Sequence, residues 1–178
     1  MLIQKDTAFG YRTEEKVRIG VADDEAFCFF YADNLNLLEQ MGAELVRFSP
    51  IHDRELPEDL DGLLLSGGYP ELNGEALEEN QEMCTRIREA IRDGMPCLAE
   101  CGGFMYLHQE MEDMEGKQRR VCGVIPGKAY RTPKLNWFGY ITLTENRIPD
   151  LVRSRLNEFH YFDSTDCGDG FSCGKAGI

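Results

Sequence analysis

An apolar strand pattern that runs directly into a cysteine and two glycines, and then into a helical pattern, leaves a chain few ways to fold. Here that stretch is Pro96-Cys97-Leu98-Ala99-Glu100-Cys101-Gly102-Gly103-Phe104-Met105-Tyr106-Leu107. It has the form of a nucleophile elbow, a tight strand-to-helix turn that projects a reactive side chain at the carboxyl edge of a sheet. Small residues two places either side let the backbones pack closely, and Ala99 and Gly103 hold those places. The following helix points its amino end at Cys101, so its dipole and open N–H groups are expected to favour thiolate over thiol. A cysteine near a strand end is commonly a small apolar filler. The Cys-Gly-Gly turn argues against that, and Cys101 is the candidate nucleophile.

The rest of the chain supplies a sheet for the elbow. Residues 17–22 alternate and are rich in β-branched side chains, residues 43–48 repeat the pattern, and residues 60–65 end in a continuous apolar run suited to a parallel strand covered on both faces. Leu35, Leu38 and Met41 share one helical face, stopped by Gly42. Leu77, Cys84, Ile87 and Ile91 recur at helical spacing through residues 75–93, with Gly94 as a left-handed cap. Residues 95–100 form the strand into the elbow, and the next helix is expected to run from Gly102 to about Gln109. An acidic turn at 112–116 follows, then a short strand at 121–127, rough alternation over 135–143 and a last strand at 157–162. Residues 26–31 are an aromatic stretch that either lines a pocket or joins the core. Residues 167–178 are glycine-rich and are expected to carry no element. Strands alternating with helices in this way predict a doubly wound, mostly parallel α/β sheet flanked by helices, with reactive groups at its carboxyl edge.

A second glycine pair, Gly67-Gly68, follows the third strand in Ser66-Gly67-Gly68-Tyr69-Pro70-Glu71-Leu72. Its backbone N–H groups either help hold an oxyanion or simply make a tight turn. Of three histidines, His52 falls in a polar loop. His108, seven residues past Cys101 on the same expected helix, would lie about 10 Å along its axis, too far to act as base. His160 remains, on a strand pattern whose aromatic neighbours would otherwise mark a core histidine.

Composition narrows the function. With 178 residues the chain suits one domain, residues 17–178, preceded by a polar stretch at 1–16 that reads as a linker. Lys and Arg number 19 against 32 Asp and Glu, a net charge of −13 that repels nucleic acid and anionic lipid. The seven cysteines show neither Cys-x-x-Cys pairs nor zinc spacing. With no signal peptide and no apolar run of about 18 residues, a cytoplasmic protein with reduced thiols, no metal and no membrane partner is expected. Gly174-Lys175 lacks a phosphate-loop context.

The stretch 96–107, the Gly67-Gly68-Tyr69-Pro70-Glu71-Leu72 motif and Glu158-Phe159-His160-Tyr161 closely resemble the class I, triad-type glutamine amidotransferase domain of cobyrinate a,c-diamide synthases. Asp24-Glu25-Ala26-Phe27-Cys28-Phe29-Phe30-Tyr31 and Gly123-Val124-Ile125-Pro126-Gly127 match too, so the likeness covers about residues 17–165. The resemblance implies a flavodoxin-like fold and glutamine as substrate. It implies Cys101 as nucleophile, His160 as its proton-transfer partner, and an oxyanion held by N–H groups of Gly102 and the Gly67-Gly68 loop. Ammonia would pass to an ATP-dependent synthetase domain that amidates the a and c carboxylates of a corrin. ATP and Mg are expected there, with no cofactor in this domain.

Three departures accompany the likeness. The glutamate that many such enzymes place two residues after the histidine is Phe162 here, leaving the third triad member open between Glu158, Asp163 and a plain Cys-His dyad. Ala99 replaces the usual glycine before the nucleophile. The synthetase domain and the family's final segment are absent from the chain, which reads as truncated at its C-terminus. The nickel-sirohydrochlorin a,c-diamide synthase domain resembles this half equally. A thiol or redox relative on the same fold, or an inactive partner-binding module, are the alternatives from other classes.

Overall fold

The computed structural model describes residues 16–135, 137–145, 154–168 and 171–175, and for 137–138, 143–145, 154–159 and 171–175 it describes the backbone alone. The expected linker at 1–16 lies almost wholly outside the described residues. Four parallel strands build the first sheet: β1 (Val17–Ala22), β2 (Ala43–Phe48), β3 (Gly62–Leu65) and β4 (Cys97–Ala99), in the order β2-β1-β3-β4. Helices α1 (Ala32–Gln40), α2 (Gly74–Glu79) and α3 (Gln81–Arg92) make the crossovers, which parallel strands require. This is the flavodoxin-type order expected of a doubly wound sheet. Val21, Ala22, Phe48, Leu63 and Leu65 from the strands are buried, with Leu77, Met83, Cys84 and Ile87 from α2 and α3.

The single helix expected over 75–93 is two helices broken at Asn80. That side chain, 2% exposed, donates to the carbonyl oxygens of Pro50 (2.8 Å) and Asp53 (2.7 Å) and caps α3 by accepting from Met83 N–H at 3.4 Å. It satisfies carbonyls of the β2 to β3 loop at Pro50, Ile51 and Asp53, the first of them buried. Gly94 does cap α3, at φ 102°.

Past the elbow the pattern changes. Helix α4 is short, Gly102–Tyr106, and His108 begins strand β5 (His108–Glu112) instead of continuing the helix. β5 turns through Asp113–Lys117 hydrogen bonds into β6 (Gln118–Arg120) and pairs in parallel with β7 (Ile125–Arg131), which starts later than the strand expected at 121–127. β10 (Phe162–Ser164) closes this second sheet, β10-β7-β5-β6. A third, antiparallel sheet has the order β11-β8-β9, from β8 (Trp137–Glu145), β9 (Ser154–His160) and β11 (Phe171–Lys175). The glycine-rich end thus does contribute a strand, paired with β8. The aromatic stretch divides: Phe27 is fully buried against Tyr106, while Phe29 and Tyr31 are exposed.

Replacing Asn80 with alanine leaves three loop carbonyls unpaired and uncaps α3. The expected cost is about 2–3 kcal/mol, read as a lower denaturant midpoint at unchanged slope.

Candidate active site

The site lies where β3 and β4 end side by side, with Leu65 opposite Ala99 in register. Cys101 follows β4 in a conformation that L residues seldom adopt, φ 49° and ψ −108°. Such a residue costs roughly 1–3 kcal/mol and persists only when its surroundings hold it. Here they do. Glu100 N–H donates to Leu65 O at 3.0 Å, and Gly103 N–H donates to Ser66 O at 3.1 Å. A Cβ on Gly103 would stand 2.0 Å from Leu65 O, so no side chain fits where the elbow presses on β3.

The second glycine pair meets the first. A Cβ built on Gly67 would lie 3.7 Å from the Cys101 Cβ, and one on Gly102 would lie 3.3 Å from Gly68 N and 2.8 Å from the Pro70 ring. Gly68 is itself wedged under the β1 exit loop, where a Cβ would fall 2.1 Å from Ala26 O. The carboxylate of Asp24 fixes that loop, accepting from Ala26 N–H (2.9 Å), Ser49 Oγ (2.7 Å) and Ile51 N–H (2.9 Å). Gly67, Gly68, Gly102 and Cys101 are therefore brought together. Asp24 opens one of the stretches that carry the family resemblance, but nothing in the sequence pattern marked it as the support of the loop over Gly68.

The electrostatics correct one expectation. Burial pushes the Cys101 thiol up, and the Glu71 and Glu100 carboxylates push the same way against a hydrogen bond from Gly102 N–H. These contributions favour the thiol over the thiolate, although the residue as a whole is exposed. With only five residues, α4 offers that one N–H rather than a developed dipole. Glu71 is half-buried, and burial raises its own carboxyl in spite of its backbone hydrogen bond and Arg131. It belongs to the Gly67–Leu72 motif, but its proximity to the sulphur depends on the Pro70–Leu72 turn, which spacing did not reveal.

His160 ends β9, half-buried, and its Nδ1 donates to the Phe162 carbonyl at 2.5 Å. That contact makes Nε2 the basic nitrogen of the neutral ring. The residue two places past the histidine supplies a backbone carbonyl where a glutamate was missed. Asp163 accepts from Ser164 N–H at 2.8 Å, and the Glu158 side chain lies outside those described. His52 is an exposed loop residue paired with Glu25. His108, expected on the same helix as Cys101, begins β5 instead and is fully buried. Among the described residues no His, Cys, Asp and Glu group could hold a metal ion, and no helix is long and apolar enough to cross a membrane.

Comparison with known proteins agrees with this fold. The chain is 52% identical over 152 residues to the cobyrinate a,c-diamide synthase of Syntrophotalea carbinolica, covering 83% of this chain and 33% of that protein. The enzyme of the same name from Caldanaerobacter subterraneus is 44% identical over 152 residues, 83% of this chain and 34% of that one. The chain therefore spans about a third of the length of these relatives. Among solved structures, one titled as a glutamine amidotransferase aligns at TM-score 0.59 and 18% identity over 85% of this chain and 75% of that one. PurLQS from Thermotoga maritima aligns at TM-score 0.60 and 16% identity, over 90% and 76%. These two likenesses establish the fold. A family model for the CobB/CobQ-like glutamine amidotransferase domain matches residues 18–163, and the chain belongs to that family.

Proposed function

We propose that this chain is a glutaminase domain that releases ammonia from glutamine through a Cys101 thioester. The observation that carries the reading is the strained Cys101 set against Gly67, Gly68 and Gly102 at the carboxyl edge of β3 and β4. Glutamine's side-chain amide is a poor electrophile, so attack needs a nucleophile, a proton acceptor and donors for the oxygen that becomes negative. Cys101 Sγ bonds to the amide carbon as His160 Nε2 takes the thiol proton. The oxyanion is received by N–H groups of Gly102 and the Gly67-Gly68 loop. His160 returns the proton to the departing nitrogen, the C–N bond breaks, and ammonia leaves. Water then attacks the thioester and frees glutamate and the thiol. The Phe162 carbonyl holds the imidazole tautomer this sequence needs, the task a third carboxylate performs in triad enzymes.

The ammonia serves an ATP-dependent synthetase region that amidates the a and c carboxylates of cobyrinate on the way to cobalamin. The name shared by the relatives supports that assignment over the nickel-sirohydrochlorin one, and the third of their length that this chain covers leaves room in them for a synthetase region. ATP and Mg belong to that other region. The six free cysteines among the described residues suit a reducing cytoplasm.

Two outcomes test this reading. Cys101→Ala is expected to abolish glutamate release and labelling by 6-diazo-5-oxo-norleucine, and His160→Ala to slow release by about 10²–10⁴-fold. Unlabelled Cys101 in a chain combined with its synthetase region overturns it. Separately, the pH midpoint for iodoacetamide alkylation of Cys101, followed by peptide mass, should lie above that of an ordinary free cysteine. Glu71→Gln removes a negative charge that opposes the thiolate, so the midpoint should fall; a rise or no change contradicts the assigned cause.

A further inference from the structure

His108 is a buried histidine for which the glutaminase steps have no use. Its ring makes two hydrogen bonds in opposite directions. Nδ1 donates to the Phe104 carbonyl at 2.9 Å, within α4 and three residues past Cys101. Nε2 meets Ser164 Oγ at 2.6 Å, on β10 and four residues past His160. The ring is fully buried and stands edge-on to Phe104, centroids 4.8 Å apart at 89°, so it has little freedom to turn. Burying an imidazole is costly unless both nitrogens are satisfied; here each nitrogen reaches a different segment. With Nδ1 donating to Phe104, Nε2 of the neutral ring takes the one Ser164 hydroxyl proton, and Ser164 Oγ accepts from Asp166 N–H at 3.0 Å, with the Asp166 carbonyl 2.6 Å away.

We propose that His108 is a positioning residue, a strut between the helix that follows the nucleophile and the strand that follows His160, fixing the two catalytic side chains relative to one another. The strut acts on a Cys101–His160 pair, so it rests on the glutaminase reading. On the β10 side the link is direct: Phe162, whose carbonyl holds the His160 tautomer, opens β10, and Ser164 closes it. On the α4 side the bonded carbonyl belongs to the helix that Cys101 caps. A displacement of about 1 Å between reacting groups can cost roughly a hundredfold in rate, which is the margin such a strut protects.

The test uses Ser164, which can lose its hydroxyl without opening the core. In the full chain, Cys101 alkylation by iodoacetamide is measured for the parent, Ser164→Ala, Ser164→Thr, His160→Ala and the Ser164→Ala/His160→Ala double variant, beside kcat and KM for glutamate release. Ser164→Ala is expected to lower kcat roughly ten- to hundredfold with KM within about twofold, and to slow Cys101 alkylation. Ser164→Thr should restore both, and the double variant should alkylate no more slowly than His160→Ala alone. His108→Asn, which keeps the donor to Phe104 but falls short of Ser164, should match Ser164→Ala. If His160→Ala slows Cys101 while Ser164→Ala leaves it at the parent rate, the strut is overturned. An equal loss in both backgrounds also overturns it, because the effect then bypasses His160. If His160→Ala leaves Cys101 unchanged, the cysteine–histidine pairing itself fails, and the strut with it.

Discussion

The structure depends on backbone meeting backbone with no side chain between. Gly103 lies so close to the end of β3 that a methyl group would overlap the Leu65 carbonyl, and Gly68 lies equally close to the Ala26 carbonyl. Protein interiors do not yield to overlaps of this size. These contacts let the β4 elbow, the β3 turn and the β1 exit loop converge on one point, and they hold Cys101 at a backbone conformation it would otherwise leave. Strain at Cys101 and glycine at its neighbours are thus one constraint: the turn is sharp because the segments around it are close.

The convergence also brings acidic groups beside the sulphur. Burial, Glu71 and Glu100 all disfavour a resting thiolate, and a single N–H from Gly102 opposes them. Under the proposed glutaminase chemistry, such a site leaves proton removal to a partner base. Cys97, four residues earlier on β4, has its thiol pushed up to about 11 by burial and lacks the elbow. The difference between two cysteines four residues apart lies in backbone geometry and access, not in residue type.

The parallel half of the fold was legible because its evidence is local. Continuous apolar runs, helical periodicity and paired glycines at strand ends each report on a few neighbouring residues, and together they placed β1 to β4, the elbow and the second glycine pair. Three features were illegible for the same reason. Asn80 breaks a periodic helix because loop carbonyls 27 to 30 residues away need a donor. β11 exists because β8 offers an edge to residues that carry no strand pattern of their own. Glu71 reaches the sulphur through a turn whose path the motif does not spell out. Each is a long-range compensation that leaves no periodic trace.

His108 shows the most consequential case. Read as part of a helix continuing past Leu107, it occupies instead a core position on a strand. Where the helix ends, the imidazole takes the Phe104 carbonyl, one of the acceptors that a helix leaves open at its C-terminus. That stop separates two kinds of construction. Before it, Cys101 and its glycines are held by contacts that admit no adjustment; after it, His160 stands on antiparallel strands joined to the elbow through β5, β7 and side-chain hydrogen bonds. Any change in the spacing of the two must therefore be absorbed on the histidine's side, where hydrogen bonds can lengthen, because on the cysteine's side the nearest carbonyl leaves no room for even a methyl group.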